Sequence, residues 1–208
     1  MSVKVKICGI TNPADGLAVA EAGADLIGLV LYSGSPRHVA LPVAEDIVRA
    51  LPQTVVKVGV FVNPAEGFVS AAITRCGLTL LQFHGDEPPE FCTQFGVMSM
   101  KAFRIRDEES LHALQRYSTD AWLLDAYSPD RRGGTGDTFN WNLAIEARKL
   151  GRPIFLAGGL TPDNVAEAVR TVQPFGVDVS SGVESEPGRK DLTKVRAFVQ
   201  AVRSATGS

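Results

Sequence analysis

Residues 3–31 read VKVKICGITNPADGLAVAEAGADLIGLVL. The segment opens with strict alternation, Val3, Val5 and Ile7 on one face and Lys4, Lys6 and Cys8 on the other, which is the two-residue period of a strand. In "TNPADG" a polar residue precedes a proline at a helix entry, and apolar positions three or four apart then run over Ala14–Ala22. From Leu26 to Leu31 the chain is apolar without alternation, as a strand covered on both faces must be. Strand Val3–Cys8, helix and strand together make one βα repeat and the start of the next.

The repeat continues to the end of the chain. Further strands are expected at Val55–Phe61, Thr79–Phe83, Met98–Phe103, Ala121–Leu124, Pro153–Leu156 and Gly176–Val179. Helices are expected at Val43–Ala50, Ala65–Arg75, Pro89–Phe95, Glu109–Arg116, Trp141–Lys149, Pro162–Thr171 and Leu192–Arg203. "VNPAEG" and "LTPDNV" repeat the polar-residue-then-proline pattern and are read as helix entries like the first. Eight such units place the chain in the α/β class and can either close into a barrel or lie open as a doubly wound sheet. The first turn lacks a G-x-G-x-x-G fingerprint and glycines follow many strand ends, so the reading is a single-domain (β/α)8 TIM barrel over residues 1–208. In that architecture the active site lies at the C-terminal ends of the strands.

Composition narrows the function. With 208 residues, 45% hydrophobic and 21% charged, the chain has the balance of an ordinary globular protein. A net charge of −2 with scattered arginines argues against a nucleic-acid partner. The N-terminus lacks the pattern of a signal peptide, and no apolar run reaches the roughly 20 residues of a membrane span. Cys8, Cys76 and Cys92 match neither a disulfide framework nor a zinc site, so a reduced, cytoplasmic protein with no membrane partner is expected.

The strand ends carry the candidate chemistry. In β-strand alternation the apolar face of Val3, Val5 and Ile7 suits the helix layer, which turns Lys6 and Cys8 into the barrel. A lysine there needs a carboxylate, and in a closed barrel the last strand, carrying Asp178, neighbours the first. Cys8 is either a small buried hydrophobe or, if nearby cations lower its pKa, a thiolate base. Asp125 ends an apolar strand and points at the mouth of the barrel, or else caps a turn. The connection 126–139 after it is long, and "GGTG", Gly133–Gly136, supplies hinges for a lid or anion clamp.

Three further features sit at strand ends. "FLAGGLTPDN" and "VDVSSGVES" bring glycines and small hydroxyl residues to the seventh and eighth strand ends, where barrels commonly bind phosphate. Positive φ at Gly159 and Gly182 would explain the same glycines. Arg37, in "SGSPRHV", either forks a substrate carboxylate or is a solvated surface residue. His84, in "QFHGD", is read as lining the substrate or supporting a residue that does, because His38, His84 and His112 form no ligand pattern; no metal is expected.

Taken together, "KICGIT", "SPRHV", "VGVFVN", "QFHGDE", "LLDA", "GGTG" with "FNW", "AGGLTPDNV" and "GVDVSSGVE" with "GRKD" resemble the phosphoribosylanthranilate isomerase family, from Lys4 to about Val202. The resemblance implies an Amadori rearrangement of N-(5'-phosphoribosyl)anthranilate to 1-(2-carboxyphenylamino)-1-deoxyribulose 5-phosphate in tryptophan biosynthesis, without cofactor or metal. By position it implies Asp125 as general acid, Cys8 as general base, Arg37 on the anthranilate carboxylate, and backbone amides around Gly159, Ser181 and Gly182 on the phosphate. The expected partner is thus a small sugar phosphate, with the chain a monomer or a homodimer. The departures are Asn140, where the family more often has Asp at a helix cap, and Phe83 in place of Leu, which should affect packing only. A related bifunctional barrel carries a carboxylate base at the position of Cys8, so the cysteine argues against its second activity. Two rival readings are a ribulose-phosphate epimerase-like barrel, which needs metal and paired aspartates, and a barrel that binds a phosphate ligand without turnover.

Overall fold

A computed structural model describes residues 2–125 and 141–207. Eight parallel strands close into a barrel in chain order: β1 Lys4–Cys8, β2 Leu26–Val30, β3 Val56–Phe61, β4 Leu80–Phe83, β5 Met98–Arg104, β6 Ala121–Asp125, β7 Ile154–Ala157 and β8 Gly176–Val179. The helices around it are α1 Pro13–Glu21, α2 Leu41–Ala50, α3 Glu66–Cys76, α4 Pro89–Thr93, α5 Glu109–Leu114, α6 Trp141–Lys149, α7 Val165–Val172 and α8 Leu192–Ala205. After β8 come a single 3₁₀ turn, Ser181–Val183, and a short antiparallel hairpin, β9 Glu184–Glu186 with β10 Arg189–Lys190. Alternation in the sequence did not reveal the hairpin, because two strands of three and two residues carry too few positions to show a period.

Alternation sorts the apolar residues into two cores, as closed barrels require. Val3, Val5 and Ile7 join Val19, Ile27, Phe198 and Val199 between sheet and helices. Cys8 joins Leu26, Val58, Val60, Met100, Leu123 and Phe155 inside the barrel. Phe83 lies in the outer core and stacks between Phe61 and Phe95, so its ring is a packing element. Lys4 departs from its expected place in the interior: at the rim of the barrel its ammonium reaches Asp25 at 3.2 Å. Asp25 also accepts from the Val5 amide at 2.8 Å and from Arg203 at 2.8 Å, which ties β1, the entry to β2 and α8 together. Burial opposes the Asp25 charge, yet these donors hold its carboxyl below the usual range.

Only one of the three proline-marked segments is a helix entry as read. Asn12 caps α1, accepting from the Asp15 amide at 2.8 Å with Pro13 opening the helix. Asn63 instead lies in the left-handed region at φ 47°, and its Oδ1 accepts from the Asp86 amide at 2.7 Å; α3 starts at Glu66. Asn164 accepts from Thr161 at 2.8 Å and donates to the Gly159 carbonyl at 3.0 Å, and α7 starts after it. Both asparagines hold loops at the C-terminal ends of strands, where the backbone has no ladder partner to satisfy it.

Closure is made where β1 meets β8. Lys6 lies opposite Asp178 in the register, and its fully buried Nζ donates to Asp178 Oδ1 at 2.9 Å. The interior pair expected from alternation is therefore present. Removing one member leaves the other as an uncompensated buried charge, a loss of about 3–5 kcal/mol. Lys6→Met should lower the urea midpoint correspondingly in equilibrium unfolding at neutral pH; a loss below about 1 kcal/mol would show that the pair is dispensable for closure.

Candidate active site

The sequence-selected residues gather at the C-terminal ends of the strands. Cys8 ends β1 and Asp125 ends β6, so they sit on opposite parts of one rim, three strand steps apart through β7 and β8. His84 follows β4, Gly159 follows β7, and Ser181 and Gly182 follow β8. Arg37 lies in the connection between β2 and α2. The segment 126–140, with the expected hinge Gly133–Gly136 and Asn140, lies outside the described residues.

Cys8 is packed inside the barrel against a glycine that its position requires. A side chain at Gly28 would meet Cys8 Sγ at 2.8 Å and Lys6 Nζ at 3.2 Å, so thiol and ammonium share the space over that glycine. The cations do lower the thiol pKa as expected, but in the free protein they are outweighed. Burial pushes the Cys8 thiol up, Lys6 pulls it down, Asp178 pushes it up again and Lys190 pulls it down, with burial prevailing. Lys6 keeps its proton: burial works against its charge, but Asp178 and Cys8 raise its pKa above the ordinary lysine value. Cys8 thus rests as a thiol beside a fixed ammonium.

Arg37 is not a solvated surface residue. Its Nε donates to Glu184 Oε1 at 2.8 Å and its Nη2 to Glu184 Oε2 at 2.6 Å, a two-pronged pair with a carboxylate only 4% exposed. Its stem crosses Gly9, where φ is +80° and an added Cβ would lie 2.6 Å from Arg37 Cδ. The guanidinium is thereby brought over the strand end that carries Cys8. Glu184 was missed in reading the sequence, although "GVE" follows a strand end; a carboxylate next to a barrel mouth was the available signal.

On the other side of the mouth, Asp125 Oδ2 is 3.4 Å from His84 Nε2, and His84 Nδ1 is 2.9 Å from Gln82 Nε2. The Gln82 amide faces Nδ1, which leaves the Nε2 edge of the ring toward Asp125. Gln82 was also missed. It lies in β4, buried, two residues before His84, and a polar residue inside an otherwise apolar strand is the trace it leaves in the sequence.

At the ends of β7 and β8 the chain turns sharply. Gly158 and Gly159 have φ of 86° and 66°. Gly182 does not take positive φ; it is needed because a Cβ there would collide with the Leu160 carbonyl, which packs the two strand ends together. Ser180 Oγ, buried in the same corner, has no protein partner among the described residues. No group of three or more His, Cys, Asp or Glu residues that could hold a metal occurs among the described residues, and no described helix is long and apolar enough to cross a membrane.

A family model described as N-(5'phosphoribosyl)anthranilate (PRA) isomerase matches residues 5–201. An N-(5'-phosphoribosyl)anthranilate isomerase of Geobacter sulfurreducens is 54% identical over 97% of this chain and 98% of its own length. The crystal structure of phosphoribosyl anthranilate isomerase from Thermotoga maritima superposes with a TM-score of 0.91 at 39% identity, covering 97% of this chain and 99% of that one. A second solved structure of that enzyme type, in complex with reduced 1-(o-carboxyphenylamino)-1-deoxyribulose 5-phosphate, gives 0.88 at 37% identity with the same coverage.

Burial raises the other two thiols as well, Cys92 to about 12 and Cys76 above its ordinary value. The thiolate absorbance near 240 nm of the folded protein should therefore rise only above the ordinary thiol range, which begins near pH ~8.5. A thiolate signal already present at pH 7 would show that the cations around Cys8 outweigh its burial.

Proposed function

The chain belongs to the N-(5'-phosphoribosyl)anthranilate isomerase family, and on that premise we propose that Cys8 and Asp125 are its proton-transfer pair. The enzyme is an isomerase of tryptophan biosynthesis that converts N-(5'-phosphoribosyl)anthranilate to 1-(2-carboxyphenylamino)-1-deoxyribulose 5-phosphate. The conversion moves hydrogen within one molecule, from C2' of an aldose to C1' of a ketose. An acid and a base therefore suffice for it, and no external oxidant or cofactor enters the balance.

In this reading Asp125 delivers a proton to the furanose ring oxygen, the C1'–O bond breaks, and the anthranilate nitrogen becomes a Schiff base. Cys8, as thiolate, removes the C2' proton from the opposite side of the mouth, giving an enolamine that becomes the ketone. The single observation that supports this division best is the placement of one acid and one thiol on opposite parts of the same rim. His84, at 3.4 Å from Asp125, lines the substrate and gives the carboxylate a polar neighbour after its proton has left. The positive Schiff base formed on ring opening stands next to Cys8, and an opposite charge at that range favours the thiolate. Burial then disfavours ionisation in the empty site and the intermediate itself relieves it.

Two anchors orient the sugar between these groups. Arg37 takes the anthranilate carboxylate, and the backbone amides around Gly159, Ser181 and Gly182 take the phosphate. Fixing both ends lowers the entropic cost of bringing C2' to the thiolate. The partner is this small sugar phosphate; a chain of net charge −2 offers no electrostatic footprint for nucleic acid. The working unit is one barrel over residues 1–208, in the cytoplasm, with its active site at the C-terminal ends of the strands.

Turnover can be followed by loss of anthranilate fluorescence with substrate made in situ. Cys8→Ala and Asp125→Ala should each lose at least about a hundredfold in kcat, the lower end of what removing an acid or base costs. Wild-type turnover that survives Cys8→Ala unchanged would return Cys8 to a packing role. A protein that binds the sugar phosphate without converting it would overturn the isomerase reading.

A further inference from the structure

The residues assigned above leave one part of the mouth without a task. Behind Arg37, the hairpin of β9 and β10 brings Glu184 and Lys190 together inside the protein, their side chains 4% and 0% exposed. Lys190 Nζ donates to Glu184 Oε1 at 2.8 Å and to the Ser180 carbonyl at 3.3 Å. The Gly188 amide reaches the same Oε1 at 3.4 Å. With Arg37 on both oxygens, the Glu184 carboxylate is fully engaged. Lys194 Nζ donates to the Glu184 carbonyl at 2.9 Å and holds the start of the hairpin against α8.

Such an arrangement is costly if it serves stability alone. A buried ion pair of this kind is commonly matched by apolar side chains of the same volume, and a third buried charge adds a further desolvation penalty. The charge sum is informative. Arg37 and Lys190 contribute two positive charges and Glu184 one negative, so the three together keep one net positive charge. Glu184 alone would orient the guanidinium and also cancel it. Lys190 restores the charge from behind, where no substrate can reach it.

Resting on the assignment of Arg37 to the substrate carboxylate, we propose that Glu184 and Lys190 are positioning residues that make this enzyme select an aryl amine bearing an ortho carboxylate. Glu184 occupies the Nε and Nη2 donors and thereby fixes the plane of the guanidinium. Nη1, which has no protein acceptor among the described residues, is left for the substrate. Lys190 keeps that donor cationic in effect, so that the pair with Glu184 does not weaken the attraction for an anion. Glu184 carries a lowered pKa, opposed by burial and maintained by Arg37 and Lys190, while burial and Arg37 pull Lys190 below the ordinary lysine value against the upward pull of Glu184.

The test compares two substrates in one protein, which makes it independent of how much of each variant folds. Preference is measured as the ratio of kcat/KM for N-(5'-phosphoribosyl)anthranilate to that for N-(5'-phosphoribosyl)aniline, which lacks the carboxylate, with products resolved by chromatography. Lys190→Met and the milder Glu184→Asp should each reduce the preference at least roughly tenfold, the scale of one charge-assisted hydrogen bond. The loss should fall mainly on KM for the carboxylated substrate, because the carboxylate is held equally before and during reaction. Equal losses on both substrates would assign the network to structure alone and overturn the proposal. Arg37→Met separates the two levels. If it lowers the preference while the Glu184 and Lys190 variants do not, only the present inference fails; if it does not, the assignment of Arg37 fails with it.

Discussion

The ion pair between Lys6 and Asp178 joins the first and last strands, and the geometry of the mouth depends on it. An ammonium with no exposure inside a barrel is tolerable only against a carboxylate held at hydrogen-bond distance, and here that distance is 2.9 Å. The pairing fixes the register Lys6 to Asp178, so Cys8, two residues on, must emerge at the rim next to the corner made by Ser180 to Gly182. A shift of one residue would turn Lys6 outward and Ile7 inward. The constraint that closes the barrel is thus also the one that aims the thiol.

The same pair sets a compromise at Cys8. A base must be ionised to act, but a site that orders a sugar phosphate must also exclude water, and exclusion raises a thiol. Lys6 and Lys190 oppose burial from two sides, whereas Asp178, needed to keep Lys6 buried, opposes them in turn. The balance in the empty site favours the thiol. In the proposed mechanism a cation arising on the substrate shifts that balance toward the thiolate, which links formation of the base to progress of the reaction.

The fold and the positions of most site residues can be read from the linear chain because both follow from short-range periodicity. Alternation in β1 distinguishes the inward Lys6 and Cys8 from the outward Val5 and Ile7, and closure of the barrel makes Asp178 a neighbour. Features that depend on comparing competing long-range effects are not legible in this way. The sign of the Cys8 shift requires weighing burial and Asp178 against Lys6 and Lys190, groups supplied by three separate segments. Asn63 precedes a proline as Asn12 does, yet its contact to Asp86 recruits it to a loop. Glu184 meets Arg37 across 147 residues, a separation at which no periodicity carries information.

Cys8 as the group that takes the C2' proton is the central claim, and the pH dependence of kcat/KM tests it most directly when the base itself is exchanged. The rising limb of that profile reports the ionisation of the free enzyme's base. In the wild type it should lie in the alkaline range of a buried thiol, and in Cys8→Asp it should move down by several units, toward the carboxylate range near ~4 with the upward pull of burial. A limb that stays where it was after the exchange would mean that another group removes the proton, and the role assigned to Cys8 would fall.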